Sequence, residues 1–150
     1  MDVHASVEAK VTADKLFSKV SDLSTYTEWL DIVHRVEVMS GENPTSAPVW
    51  QVELRARVGP FARSKRLRMV RTSCEPSRAV VFERQESDGK QHSDWVLRAT
   101  IDPTSTGSTL NMYLHYGGLL FTGGVMERLL ADQIRHGSER LVAMFSTELN

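Results

Sequence analysis

The stretch Leu110-Asn111-Met112-Tyr113-Leu114-His115-Tyr116-Gly117-Gly118 decides the fold. Leu110, Met112, Leu114 and Tyr116 alternate with Asn111, Tyr113 and His115, the period of two that marks a strand with one buried face. Glycines stand at 117, 118, 123 and 124, and beyond them the apolar residues change to helical spacing. Met126, Leu129, Leu130, Ile134, Leu141, Met144 and Phe145 share one stripe, with Glu127, Arg128, Asp132, Arg135, Glu139 and Arg140 mostly away from it. Some 25 residues of helix span about 38 Å, enough to cross a sheet. No other segment offers a long helix. One long helix on a curved antiparallel sheet must either fill the concavity or enclose a cavity. That choice decides what the protein does.

Upstream, the period of two recurs. Val3, Ala5, Val7 and Ala9 mark a first strand. Trp50, Val52, Leu54, Ala56 and Val58 alternate with Gln51, Glu53, Arg55 and Arg57 in the clearest strand of the chain. Trp95, Leu97, Ala99 and Ile101 repeat the pattern, while Val36 with Val38, Leu67 with Met69, and Val80-Val81-Phe82 mark three more strands. Turns are signalled by Gly41 to Pro48, Gly59-Pro60, Glu75-Pro76-Ser77, Ser87-Asp88-Gly89-Lys90 and Asp102 to Ser108. Turn spacings of about 10–15 residues, with no helices between, mean antiparallel connections. Two short helices follow the first strand. Thr12 is placed to cap one, with Asp14 in its first turn and Leu16, Phe17 and Val20 on one face. Asp22 or Ser24 is placed to cap the other, which carries Tyr26, Trp29 and Leu30. The expected fold is α+β: a curved antiparallel seven-stranded sheet around a long C-terminal helix, with two short helices after strand 1.

The chain has 150 residues, 41% of them hydrophobic, which suits one globular domain over 1–150 with its own core. A net charge of -1 points to neither nucleic acid nor a membrane surface as a partner. Cys74 is the only cysteine, so neither an internal disulfide nor a cysteine-based metal site is expected. No apolar run reaches the ~20 residues that span a bilayer. Met1-Asp2-Val3-His4-Ala5 lacks the basic and apolar segments of a signal peptide. The expectation is a cytoplasmic protein, with a homodimer left open.

This order of elements resembles the START-like, or helix-grip (SRPBCC), superfamily, and within it the bacterial polyketide cyclase/dehydrase and lipid-transport branch. The segment Val20-Ser21-Asp22-Leu23-Ser24-Thr25-Tyr26-Thr27-Glu28-Trp29-Leu30 looks like that branch's V-x-D-x-x-x-Y-x-x-W element. Val80-Val81-Phe82-Glu83-Arg84 and Tyr113-Leu114-His115-Tyr116-Gly117-Gly118 look like its later strands. The resemblance implies a hydrophobic cavity between sheet and long helix. Its expected lining is Trp50, Leu54, Met69, Phe82, Trp95, Met112, Tyr116, Met126, Leu130 and Ile134. The implied function is binding or transport of a lipid, isoprenoid or polyketide, with no cofactor. The alternative is a polyketide aromatase/cyclase or dehydrase in the same cavity, with Tyr116 as proton donor and Arg71 as oxyanion holder. Fold does not choose between them.

Each candidate also has a plainer reading. Gly137 sits on the inward helix stripe at a cost of about 1 kcal/mol relative to alanine. It leaves room either for a ligand or for close packing. Trp29 with Tyr26 is either a lid or, more simply, an anchor for the short helices. Arg63, Lys65, Arg66, Arg68 and Arg71, with Arg55 and Arg57 beside them, form a basic run. No aromatic residue interleaves them to stack on bases, and Glu53, Glu75, Glu83 and Glu86 are near enough to offset them. A solvated face is the better reading. Arg71 is the exception, because it shares the parity of Leu67 and Met69 and so faces the cavity rim. His4, His34, His92, His115 and His136 show no metal-binding spacing, and no metal is expected. Residues 117–124 are glycine-rich without the lysine of a phosphate loop, and read as a hinge with Leu119, Leu120 and Phe121 closing one end of the cavity.

Overall fold

The structure is a computed structural model and describes residues 1–39, 47–117 and 125–148. Its elements run β1 (Asp2–Ala9), α1 (Ala13–Val20), a 3-10 helix (Leu23–Glu28), β2 (Val33–Val38), β3 (Val49–Val58), β4 (Phe61–Glu75), β5 (Ala79–Arg84), β6 (Trp95–Pro103), β7 (Ser108–Tyr116) and α2 (Val125–Glu148). The expected succession of one strand, two short helices, six strands and a long helix is the observed one. All seven strands form one antiparallel sheet in the order β1-β7-β6-β5-β4-β3-β2. Every neighbour is consecutive in sequence except β1, which pairs with β7 through Val3↔Leu114, Ala5↔Met112 and Val7↔Leu110. The Met1 ammonium extends that seam by donating to the Tyr116 carbonyl at 2.9 Å.

Register irregularities between Val33 and Arg35 and between Arg71 and Ser73 bend the sheet. The concave face carries the alternating apolar residues. Val80, Phe82, Leu110 and Met112 are fully buried on it. Three elements roof this face. The 3-10 helix lies over β2, α1 lies over β6, and α2 runs mainly along β1. Leu130, Ile134, Leu141 and Phe145 of α2 face inward, as the stripe predicts.

The first-helix cap differs from expectation. Thr12 occupies the N-cap position, but its side chain bonds no helix N–H. The hydroxyl is bonded instead to Asp14, which lowers that carboxyl's pKa. Asp22 does cap the 3-10 helix, accepting from the Ser24 N–H at 2.9 Å. The turn Gly41 to Pro48 falls largely outside the described residues, as do the glycine hinge and Leu119, Leu120 and Phe121.

The plainer readings hold for Trp29, Tyr26 and Gly137. Trp29 and Tyr26 are 1% exposed. The Tyr26 hydroxyl donates to the Val20 carbonyl at 2.7 Å, locking the 3-10 helix to the end of α1. A Cβ at Gly137 would lie 2.8 Å from Leu30 Cδ1 and 3.0 Å from the Trp29 carbonyl. Gly137 therefore lets α2 approach the Trp29–Leu30 turn. It leaves no space for a ligand.

Candidate functional site

A cavity lies where the three roofing elements fail to close over the β2–β3–β4 side of the sheet. β2, β3 and β4 supply Val33, Val52, Leu54, Leu67 and Met69, and β6 and β7 supply Trp95, Leu97 and Leu114. The 3-10 helix and the turn after it supply Leu23, Tyr26, Leu30 and Ile32, and α2 supplies Leu130, Gln133 and Ile134. The exposed wall is entirely apolar, and the cavity opens partway to solvent. The envelope between its walls is about 540 Å³, a figure that includes open solvent, while the centre of a water molecule fits in about 60 Å³ of it. The smaller figure is the one to compare with ligand size, and it leaves room for roughly four to six waters.

Gln133 joins this wall through a bond that also shapes the roof. Its Oε1 accepts the Ile32 N–H at 2.9 Å, tying α2 to the turn that leads into β2. Asp31 reinforces the tie at the surface by accepting from Arg140 at 2.6 Å. The roof on this side is thus two pieces joined by side-chain bonds, rather than one helix arching over a sheet.

Of the expected lining, Leu54, Met69, Trp95, Leu130 and Ile134 stand in the wall. Trp50, Phe82, Met112 and Tyr116 face the same side of the sheet but do not line the cavity. They are consumed by packing. Phe82 meets Trp50 edge-on at 5.5 Å and Tyr26 at 6.2 Å, and Tyr116 packs on Trp95 at 4.5 Å. Such pairs are the preferred geometry of aromatic rings and fill the centre of the concavity. The Met126 side chain lies outside the described residues. Val52, Leu67, Leu97 and Leu114 were legible as inward-facing, since each shares the parity of an expected residue. Leu30 was legible on the second short helix with Tyr26 and Trp29, whereas Leu23 and Ile32 carried no periodic signal, because a short 3-10 helix and a turn have none.

The residues considered for chemistry are engaged elsewhere. Arg71 sits on the concave face opposite Phe82, and donates to the Ser21 carbonyl at 3.1 Å rather than reaching the cavity. Tyr116 is 2% exposed. Tyr26 is the one titratable side chain in the wall among the described residues, and burial, with Asp22 adding to it, raises the pKa of its bonded hydroxyl. No group of three His, Cys, Asp or Glu residues suited to a metal occurs among the described residues. The outer face of β2–β4 is a charge ladder: Arg35 pairs with Glu37 at 3.2 Å, and Glu53 stands opposite both Arg35 and Arg66. Within the basic run, Arg66 is thus compensated by Glu53, and Arg55, Arg57, Arg63 and Arg66 are exposed on a solvated face.

No described helix is long and apolar enough to cross a membrane. The fold is shared with solved proteins at low identity. A START superfamily protein from Mycobacterium smegmatis matches with TM-score 0.72 at 19% identity, covering 97% of each chain. A protein from Deinococcus radiodurans matches with TM-score 0.68 at 14% identity over 95% of each chain. The di-domain ARO/CYC StfQ of the steffimycin biosynthetic pathway matches with TM-score 0.68 at 16% identity, over 98% of this chain and 50% of that one. No curated protein matches by sequence. The family model described as polyketide cyclase/dehydrase and lipid transport matches residues 1–145. With that match over nearly its whole length, and with the helix-grip fold in place, the chain belongs to the polyketide cyclase/dehydrase and lipid-transport family.

Proposed function

We propose that the protein binds a hydrophobic small molecule, a lipid, isoprenoid or polyketide, in the cavity between the sheet and α2, and carries it rather than converting it. The observation behind this reading is the wall itself: a partly open cavity with no polar surface. Burying apolar ligand surface there contributes about 25 cal/mol per Å². Space for a few waters holds one end of such a molecule. A whole ligand enters only as the 3-10 turn and α2 separate, and Gln133–Ile32 is the bond that must yield. The family description and the StfQ likeness keep a cyclase or dehydrase as the second reading. It fits less well, because a cyclase needs an acid and a base at the substrate. Tyr116 and Arg71 are occupied in core packing and in a backbone bond.

Native mass spectrometry of protein purified from its own host tests the proposal. A retained mass that denaturation releases, identified as an unaltered hydrophobic molecule, is the expected result. Absence of any retained mass, together with no saturable binding of the neutral probe 1-aminoanthracene, would overturn it.

A further inference from the structure

The cavity wall is apolar, but its border on β4 and β5 is charged. Along β4, Lys65 has the parity of Leu67 and Met69, so it lies on the concave face and not with the outward-facing Arg66 and Arg68. Lys65 is the ladder partner of Leu54, and Arg84 is the partner of Met69. Leu54, Leu67 and Met69 all stand in the cavity wall. Two inward cations thus border the same wall, Lys65 beside Leu54 and Arg84 beside Met69.

Their states differ. Arg84 is fully engaged, with its side chain only 8% exposed. Its Nε donates to Glu86 Oε1 at 2.9 Å, and its Nη1 donates to the Ser93 carbonyl at 3.2 Å. Its Nη2 donates to His92 Nδ1 at 3.3 Å, and His92 Nε2–H in turn donates to Asp88 at 2.8 Å. Glu86 Oε1 also accepts the Arg68 backbone N–H at 3.0 Å. Lys65 is half-buried, and its ammonium has neither a hydrogen bond nor an ion pair among the described residues. Lys65 and Arg84 stand against Glu86 and Asp88, but Glu86 pairs with Arg84 and Asp88 with His92, so neither carboxylate pairs with Lys65. Burial disfavours the Lys65 ammonium most, Arg84 adds to this, and Glu86 works against it. A partly desolvated charge with no partner is stabilised by any anion that reaches it.

We infer that Lys65 anchors the carboxylate of an amphipathic ligand whose apolar tail occupies the cavity, so that the protein selects monoanions over neutral molecules of the same tail. The inference deepens the proposed function and rests on it. One uncommitted ammonium matches a single negative charge. A phosphate dianion would require Arg84 to leave Glu86, Ser93 and His92.

The test is calorimetric titration of the full chain with octanoate, octan-1-ol and octylammonium at low salt. Wild type, Lys65→Met and Lys90→Met are compared, the last removing an exposed cation in the 85–94 turn. Wild type should bind octanoate about tenfold more tightly than octanol, a difference of about 1.4 kcal/mol. Lys65→Met should bind the two within about twofold of each other and keep wild-type affinity for octanol, while Lys90→Met keeps the preference. Lys65→Gln serves should Lys65→Met fail to fold. Equal wild-type affinity for octanoate and octanol, or a preference that survives loss of Lys65, would overturn the inference and leave the cavity reading standing. Failure of all three ligands to bind wild type would instead overturn the cavity reading.

Discussion

Filling the cavity should make the protein more stable and a poorer binder. Val33 and Val52 stand in the wall on adjacent strands. Val33→Ile with Val52→Ile lengthens each side chain by one methylene and keeps the β-branching that strands favour. A buried methylene contributes about 0.8 kcal/mol, so the pair should contribute about 1.6 kcal/mol. The space itself gives a second figure. An unfilled 60 Å³, at about 24 cal/mol per Å³, costs about 1.4 kcal/mol. The two routes agree on about 1.5 kcal/mol, or a rise of roughly 3–6 °C in Tm for a chain of this length. Urea unfolding followed by tryptophan fluorescence should show the midpoint moving up with the slope unchanged. Affinity for 1-aminoanthracene should fall at least about tenfold. A loss of stability of about 1 kcal/mol or more would mean that the space is already closed. Unchanged probe binding would place the ligand elsewhere.

Gly137→Ala should not show the ~1 kcal/mol gain in helix propensity that alanine normally gives. Contact with Leu30 and the Trp29 carbonyl should offset it and leave a net loss of up to about 2 kcal/mol by chemical unfolding. Gly107→Ala should be far worse, because a Cβ there would meet the Ala9 carbonyl and lie 2.9 Å from the Lys10 Cα. Backbone cannot rotate away as a side chain does, and a loss above about 3 kcal/mol, or failure to fold, is expected in a circular-dichroism melt. Glu86 gives a pH signature. Burial pushes its carboxyl pKa up, but the Arg68 N–H and Arg84 outweigh this and hold it below the ordinary 4.5. A carboxylate with a depressed folded pKa contributes stability above its unfolded value and loses it as pH falls through the folded one. Unfolding free energy should therefore decline below about pH 4.5, and Glu86→Gln should lower the neutral-pH plateau and flatten that decline.

Parity made the fold legible. Alternation at Trp50–Val58, Trp95–Ile101 and Leu110–Tyr116 identified the concave face, and the stripe from Leu130 to Phe145 identified the helix that covers part of it. Parity says which side a residue faces, but not how far along the strand the free space lies. Trp50, Phe82, Met112 and Tyr116 were therefore indistinguishable from true wall residues until ring-to-ring packing was known. Leu23 and Ile32 were invisible for the opposite reason, since nothing periodic marks a residue in a 3-10 helix or a turn. Gln133 is a polar residue beside an apolar stripe, and its partner Ile32 lies 101 residues away, beyond the reach of any local pattern. Lys65 was within reach of sequence reading, because its parity is that of Leu67. Grouping it with the basic run obscured that difference.

The seam between β1 and β7 has a consequence for how the chain is made. Val3 finds its partner in Leu114, and Met1 reaches Tyr116 across 115 positions. During synthesis, hairpins among β2 to β6 can zip as each strand emerges, but β1 stays single until β7 has been made. Such distant pairing is slow, because a long loop must close before any contact rewards it. Pairing of β1 therefore waits for β7, and a nascent polypeptide cut short before Ser108 would display β1 as an unpaired ribbon.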